Sequence, residues 1–263
     1  MIMRSRPTST NYYLHRQPLA NVDEFIVKSA AEGKHYTYRD IMVAALVRIF
    51  KIRPKFNRFY VGDKLYQRNH IDFAMAIHKS LRTGDQETIA KVRFSGFETL
   101  AEVKEKLDTA IKKAIESNDS FDAVMGRFPN FILRFVMRLI RLFDRFGWLS
   151  DKFMFENSPF HSSIFFADLK SIHLSYVFHH LYTFGNCGFF CTMGKEHYDA
   201  MVNPEDGSVY AGKVLELGIS MDERFVDGLY YRNMVKGVLR IMDDLSTLEE
   251  PLTPDQIFTP NDA

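Results

Sequence analysis

The stretch ELGISMDERFVDGLYYRNMVKGVLRIMDDL, residues 216–245, contains three kinds of local structure in succession. Its first residues are apolar or small and continue a run from Val214, which predicts a central strand over residues 214–220. A charged turn ending in Asp227-Gly228 follows, and helical spacing of apolar residues then predicts a helix over residues 229–244. A strand that leads into a helix through a charged turn is typical of α/β chains.

The rest of the chain predicts a mixed sheet flanked by helices, so the expected fold class is α/β. Further helices are predicted at residues 38–50, 99–117 and 130–146. Further strands are predicted at residues 59–60, 65–66, 71–77, 89–94, 164–166 and 188–193, the first three forming a meander. No repeat or linker divides the chain, so we expect one domain over residues 1–263 with its core at about 12–247.

Composition excludes several classes of protein. The chain has 263 residues, of which 46% are hydrophobic and 25% charged, and its formal charge is +1. This balance is not that of a disordered chain, and it provides no overall field that would attract nucleic acid. The two cysteines are too few for a disulfide scaffold. With no signal-peptide pattern and no long apolar run, we expect a cytoplasmic protein.

Residues 216–245 resemble the HxxxDG active-site segment of chloramphenicol acetyltransferase and of the dihydrolipoamide acyltransferase catalytic domain, the acyltransferase of 2-oxo acid dehydrogenase complexes. Three other stretches resemble the same families in the same order. They are YYLHRQPLANVDEF at 12–25, RPKFNRFYVGDKLYQRNHIDFAMAIHK at 53–79, and ENSPFHSSIFFADLK at 156–170 followed by FFCTMGK at 189–195. The resemblance covers roughly residues 12–247.

The resemblance implies a coenzyme A-dependent acyltransferase fold assembled as a homotrimer, with the active site at the subunit interface. Coenzyme A or an acyl-CoA would be a substrate that enters from one side, and no tightly bound cofactor is expected. A small hydroxyl, amine or thiol acceptor would enter from the other side.

Two positions depart from the pattern of the family. Glu223 stands where the family has its catalytic His, and an ordinary carboxylate is a weaker base at neutral pH than imidazole, so a base role requires burial. Phe166 stands where chloramphenicol acetyltransferase has the Ser that stabilises the oxyanion, and loss of one such donor costs about 10²–10³ in rate. Ser162 and Ser163 lie just upstream and would replace that Ser only in a different strand register.

Asp227, Gly228 and Arg16 keep the pattern of the family. There the Asp of the DG pair bonds to an Arg of the opening segment, so the resemblance implies an ion pair between Asp227 and Arg16. Gly228 is expected to allow close approach of backbone and ligand. Together with Phe166 and Ser162, it would line the substrate channel.

His161 is a second candidate for the base, because its turn precedes the strand that is expected to line the acyl channel. The alternative is an ordinary loop histidine. Nine histidines occur, but no HExxH or CxxC spacing is present, so no metal site is predicted.

The helix predicted at residues 130–146 carries four arginines within about 60° of one another on a helical wheel. They are Arg134, Arg138, Arg141 and Arg145, and most other positions are apolar. Such a helix is expected to bury most of its circumference. Three alternatives follow for this helix. It would pack against the core or a neighbouring subunit, lie at a membrane surface, or bind the phosphates of coenzyme A.

Two functions remain open at this point. In the first, the chain is an acyltransferase in which Glu223 or His161 deprotonates the acceptor and Ser163 supplies the missing hydroxyl. In the second, it is a catalytically inactive binding or scaffolding trimer, a pseudoenzyme.

Overall fold

A computed structural model describes residues 3, 5–62, 64–78, 87–116 and 129–257. The strands are β1 (Thr10–Pro18), β2 (Arg58–Val61), β3 (Lys64–Gln67), β4 (Ile71–His78), β5 (Glu87–Phe94), β6 (Ile164–Asp168), β7 (Phe189–Met193), β8 (His197–Val202) and β9 (Val209–Asp222). The helices are α1 (Ala20–Ala31), α2 (Tyr38–Ile52), α3 (Leu100–Glu116), α4 (Asn130–Phe146), α5 (Asp151–Asn157) and α6 (Gly228–Asp243). Residue 117, the predicted end of α3, lies outside the described residues.

Seven strands form one mixed sheet in the order β1-β9-β7-β6-β4-β5, with β8 also paired to β9. The pairs β4/β6 and β6/β7 are parallel, and the other pairs are antiparallel. Parallel neighbours need long crossovers. The connection from β4 to β6 includes β5 and helices α3, α4 and α5, whereas residues 169–188 connect β6 to β7 and contain only a short 3-10 helix at Lys170–Ile172. The α/β class with a mixed sheet is confirmed.

The main hydrophobic core lies between the sheet and helices α2, α3 and α6. Helix α2 begins at a capping box in which Thr37 and Asp40 bond each other's backbone N–H. Every residue from Ile41 to Phe50 is buried, so this helix is fully enclosed, as its apolar residues on nearly every face predict. It packs against both α3 and α6.

The predicted meander is wrong. Strands β2 and β3 form a separate two-stranded sheet, whereas β4 pairs with β5 and β6 in the main sheet. The physical reason is burial: β2 and β3 are half-buried or exposed, but β4 places Phe73 in the main core and Ala74 in a smaller cluster on the opposite face. A strand with two apolar faces belongs inside a sheet.

Helix α4 spans Asn130–Phe146 as predicted, but none of its residues is buried. The expectation that it buries most of its circumference is therefore not met within this chain. Among the described residues, no helix combines the length and apolarity needed to cross a membrane.

Candidate active site at the end of strand β9

Asp222, the last residue of β9, is buried. Four donor groups, which belong to Arg224 and Ser9, form hydrogen bonds with its carboxylate. Arg224 donates to both of its oxygens from Nε (2.8 and 3.0 Å) and from Nη2 (2.6 Å). Ser9 Oγ and the Arg224 backbone N–H also donate to it, at 2.9 and 3.1 Å. The guanidinium lies over the ring of Tyr60, 5.1 Å from the centroid. Because the carboxylate is buried and the guanidinium bonds both of its oxygens, this pair fixes the chain direction as β9 enters the turn.

A cavity of about 340 Å³ opens beside this pair. Its charged lining consists of four arginines and one carboxylate, namely Arg6, Arg141, Arg145, Arg224 and Asp144. Burial lowers the pKa of Arg6, whose guanidinium donates to the carbonyl oxygens of residues 182, 183 and 185. The excess of positive charge suits an anionic ligand such as a phosphate group.

Glu223 follows Asp222 but does not line this cavity. It is half-buried, and its carboxylate accepts a hydrogen bond of 2.6 Å from Asn11 Nδ2. Its backbone N–H donates to the Ser9 carbonyl at 2.9 Å. The strand segment at residues 9–11 therefore holds both the backbone and the side chain of Glu223.

His161 is buried, and both of its ring nitrogens are bonded. Nδ1 lies 2.6 Å from Ser158 Oγ, and Nε2 lies 3.1 Å from Asp144 Oδ1. These are the residue types of a Ser-His-Asp triad, but Ser158 is itself buried and does not line the cavity. The geometry therefore fits the ordinary loop histidine, because no ring nitrogen is left to accept a proton from a substrate. This chain of bonds ties α4 to the loop before β6.

Ser162, Ser163 and Phe166 are buried inside the protomer. Ser163 Oγ accepts from the backbone N–H of Asp72 at 3.0 Å, and Ser162 Oγ donates to the Pro159 carbonyl at 3.1 Å. Phe166 packs against Phe73 with ring centroids 5.6 Å apart. None of the three lines the cavity, so their predicted roles in catalysis or in a channel have no support within this chain. The register of β6 against β4 and β7 fixes their positions.

The predicted ion pair between Asp227 and Arg16 is not formed in this chain. Asp227 is exposed and caps α6 by accepting from the Tyr230 backbone N–H at 2.8 Å. Arg16 instead bonds Glu216 at 3.0 Å and Asp199 at 3.1 Å. Strand register is the reason: Arg16 lies opposite Glu216, six residues before the end of β9, which is about 20 Å along a strand.

Gly228 is the first residue of α6, and a Cβ built there would meet no atom within 4 Å. Within this chain a side chain would therefore fit at this position, and no close approach of backbone requires the glycine. Its expected role in a substrate channel gains no support from the protomer.

His70, Asp72 and Asp151 place ligand atoms within 4.8 Å of one another, which is close enough to hold a metal ion. However, the Arg93 guanidinium already bonds both carboxylates at 2.7 Å. These bonds lower the pKa of Asp151 and raise that of Arg93. An arginine therefore occupies the position that a cation would take.

Four residues of this region were missed in the sequence, namely Arg6, Asn11, Asp222 and Arg224. The last two lie inside the stretch that suggested the site, and a buried strand ending in Asp with Arg two residues later was the available signal. Arg6 and Asn11 lie some 210 residues away in sequence, and nothing local marks them.

This sheet, with a strand, charged turn and helix at residues 209–243, defines the class of protein: the chain has the α/β fold of acyltransferase catalytic domains. The dihydrolipoamide acetyltransferase of Azotobacter vinelandii superimposes with a TM-score of 0.60 at 13% identity, over 91% of this chain and 83% of that one. A probable dihydrolipoamide acetyltransferase from Listeria monocytogenes 4b F2365 gives 0.57 at 14% identity, over 90% and 85%. Chloramphenicol acetyltransferase gives 0.53 at 11% identity, over 89% and 88%. The sequence matches no family model and no curated protein.

Proposed function

We propose that the chain is an acyl-CoA-dependent acyltransferase that works as a homotrimer, with the reaction at the interface between protomers. The observation that carries the proposal is the position of Glu223, which sits directly after β9 and is the one candidate base that its own protomer does not enclose. At a protomer interface, the neighbouring protomer would complete the burial that a base role requires. The neighbouring cavity supports it, because its arginines suit the phosphates of coenzyme A.

In the proposed reaction Glu223 takes the proton from a hydroxyl, amine or thiol acceptor. The acceptor then attacks the thioester carbon, a new acyl bond forms and the carbon–sulfur bond of the acyl-CoA breaks. The proton passes from Glu223 to the departing thiolate, which leaves as coenzyme A. Asn11 is a positioning residue in this scheme, because its amide orients the carboxylate.

A second candidate is a catalytically inactive trimer that keeps the fold. Phe166 favours it, because a buried phenyl ring stands where the resemblance expects the oxyanion-stabilising Ser. Ser162 and Ser163 are bonded elsewhere, so neither supplies that hydroxyl.

The test measures thiol release from acetyl-CoA with dihydrolipoamide, amines and alcohols as acceptors. We expect Glu223→Gln to lose at least about 10²-fold in kcat, the size of a general-base contribution. Glu205→Gln, in the exposed turn before β9, is the matched control and should keep full activity.

The same assay separates the two candidates. A silent wild type that gains activity on Glu223→His would identify a disabled enzyme. A Glu223→Gln variant that retains wild-type turnover would rule out the carboxylate as base. A wild type and a Glu223→His variant that are both silent, with no heat of binding for acetyl-CoA, would overturn the acyl-transfer proposal.

A further inference from the structure

Helix α4 presents two adjacent stripes to its surroundings. One stripe is apolar and spans about 80° of the helical wheel; it consists of Phe131, Phe135, Leu139, Leu142 and Phe146, all exposed. The other is the arginine stripe, Arg134, Arg138, Arg141 and Arg145, also exposed and directly beside the first. Phe131 is 73% exposed and Phe135 is 61% exposed, values that are unusual for consecutive turns of one helix.

The apolar stripe continues beyond the end of the helix. Gly147 ends α4 in the left-handed conformation (φ 71°), and the Trp148 backbone N–H turns back to the Phe143 carbonyl at 2.9 Å. Trp148 is 68% exposed and stacks on Phe146 with centroids 5.0 Å apart. The surface therefore ends in an aromatic group of the kind that is enriched at membrane interfaces.

The opposite side of α4 is held against the protein. Asp144 bonds the buried His161, and α4 contacts strand β2. At Gly62, after β2, a Cβ would lie 3.4 Å from the Arg145 carbonyl. Because these contacts fix the rotation of the helix about its axis, the apolar stripe cannot turn inward.

Within the described residues, the four arginines of this stripe have no acidic partner, because none of them makes an ion pair there. An antiparallel twofold contact between two copies of this helix would place the two arginine stripes side by side, because such an interface uses the same patch twice. An apolar stripe bordered by unpaired arginines instead matches a surface that is apolar at depth and anionic at its edge.

We propose that α4 lies in the plane of an anionic phospholipid bilayer, with its apolar stripe among the upper acyl chains and its arginines at the lipid phosphates. Phe and Trp on one face and Arg on the polar side are features of an interfacial helix. At 17 residues the helix is about 26 Å long and lies along the surface. Arg141 and Arg145 also line the cavity proposed for the phosphates of coenzyme A, so Arg134 and Arg138 are the arginines left to bond the lipid phosphates.

Trp148 is the only tryptophan in the chain and reports on this face directly. The test titrates the full-length protein with vesicles of phosphatidylcholine and phosphatidylglycerol, and separately with phosphatidylcholine alone. We expect the anionic vesicles to shift the Trp148 emission to the blue, brominated lipid to quench it, and 0.5 M salt to weaken binding because screening shortens the reach of the charges.

Arg134→Gln and Arg138→Gln remove exposed charges without touching a packed contact, and each should weaken partitioning into anionic vesicles about fivefold. Phe135→Ser should weaken it as well. The control is Tyr198→Ser, which removes a 74% exposed aromatic group from another surface and should leave binding unchanged.

Several outcomes would overturn the proposal. One is unchanged Trp148 emission with anionic vesicles; another is binding that neither arginine substitution weakens. A blue shift that grows with protein concentration without lipid, together with a higher mass, would show that a second copy covers α4. A blue shift with coenzyme A alone that Arg134→Gln and Arg138→Gln both abolish would assign these two arginines to that ligand.

Discussion

At the scale of single residues, the pair of Asp222 and Arg224 is the strongest local constraint at the candidate site. We expect Asp222→Ala to lower the free energy of unfolding by about 3–5 kcal/mol, because it leaves a buried guanidinium without its carboxylate. Urea denaturation followed by circular dichroism measures this loss.

The matched control is Asp199→Ala, which removes a carboxylate from a more exposed pair with Arg16. Exposed pairs contribute little, so we expect a change within about 0.5–1 kcal/mol. Equal losses in the two variants would contradict the assignment of Asp222 as a buried anchor.

Lys91 on β5 gives a prediction that depends on pH. Its ammonium donates to the carbonyl oxygens of Met154, Ser158 and His161 at 2.8–3.0 Å, and burial lowers its pKa to about 8. An unfolded lysine keeps its proton up to about pH 10.4, so between pH 8 and 10 the unfolded chain binds more protons than the folded one. The contribution of this group to stability therefore rises with pH in that window.

Lys91→Met removes this titration and leaves three carbonyls without their donor. We expect it to destabilise the protein by about 1–3 kcal/mol at pH 7. The difference in unfolding free energy between wild type and variant should then widen from pH 8 to 10. A difference that stays constant across that range would show that Lys91 does not titrate there.

Residue identity pointed to the turn after β9 as the candidate site but did not predict which groups bond each other there. The charged turn at Glu223 was found because it lies within one continuous stretch of strand, turn and helix. The pairing of Arg16 was wrong because it depends on the register of β1 against β9, which sets Arg16 opposite Glu216. The register of two strands follows from packing across the whole sheet, so the local sequence around Arg16 does not predict it.

At the scale of elements, two glycines allow the segment before β7 to cross the sheet. A Cβ on Gly218 in β9 would lie 2.6 Å from the Val177 carbonyl, and one on Gly194 would lie 1.7 Å from that of Ser175. Thr192 Oγ1 donates to the same Val177 carbonyl at 2.6 Å. The segment at residues 175–177 therefore rests directly on the backbone of the sheet.

Gly218→Ala tests this close approach. Overpacking against a bonded backbone costs about 1–3 kcal/mol, which we expect as a lower midpoint of urea unfolding. Gly228→Ala is the control, because a Cβ there meets nothing and alanine favours a helix. A Gly218→Ala variant as stable as wild type would mean that the segment lies farther from β9.

Periodicity predicted the elements whose faces differ strongly in polarity. Helices α3 and α4 were located from apolar spacing, α4 with its observed ends. Strands β1 and β8 and helices α1 and α5 were not predicted. Strand β8 alternates between exposed and half-buried residues, so its pattern has no buried face, and α5 is only seven residues long.

At the scale of the whole molecule, the net charge does not reveal where the charged residues are concentrated. A formal charge of +1 coexists with four arginines along one helix and four around one cavity. The fold was predictable because four stretches in order resemble one family. The resemblance implied a homotrimer, but the sequence left the partner of α4 open among three alternatives, because the exposure of a surface is known only once the chain is folded.

The proposed trimer gives the last prediction. The hairpin of β8 and β9 carries an apolar face in which Val202 lies opposite Val209, and Ala200 opposite Ala211, all exposed. Such a face on a twisted hairpin is typical of a subunit contact. Light scattering should therefore give about three times the 30.6 kDa of one chain, and Val209→Asp should lower the mass toward that of one chain, because a buried unpaired carboxylate opposes association.

Val27→Asp on α1 is the matched control, with 70% of its side chain exposed against 68% for Val209. It should leave the mass unchanged. A Val209→Asp variant that remains trimeric would move the contact to another face, and a wild type of one-chain mass would remove the interface that the proposed active site requires. Binding of α4 to vesicles should survive Val209→Asp, which separates the proposed lipid-facing surface from the proposed subunit contact.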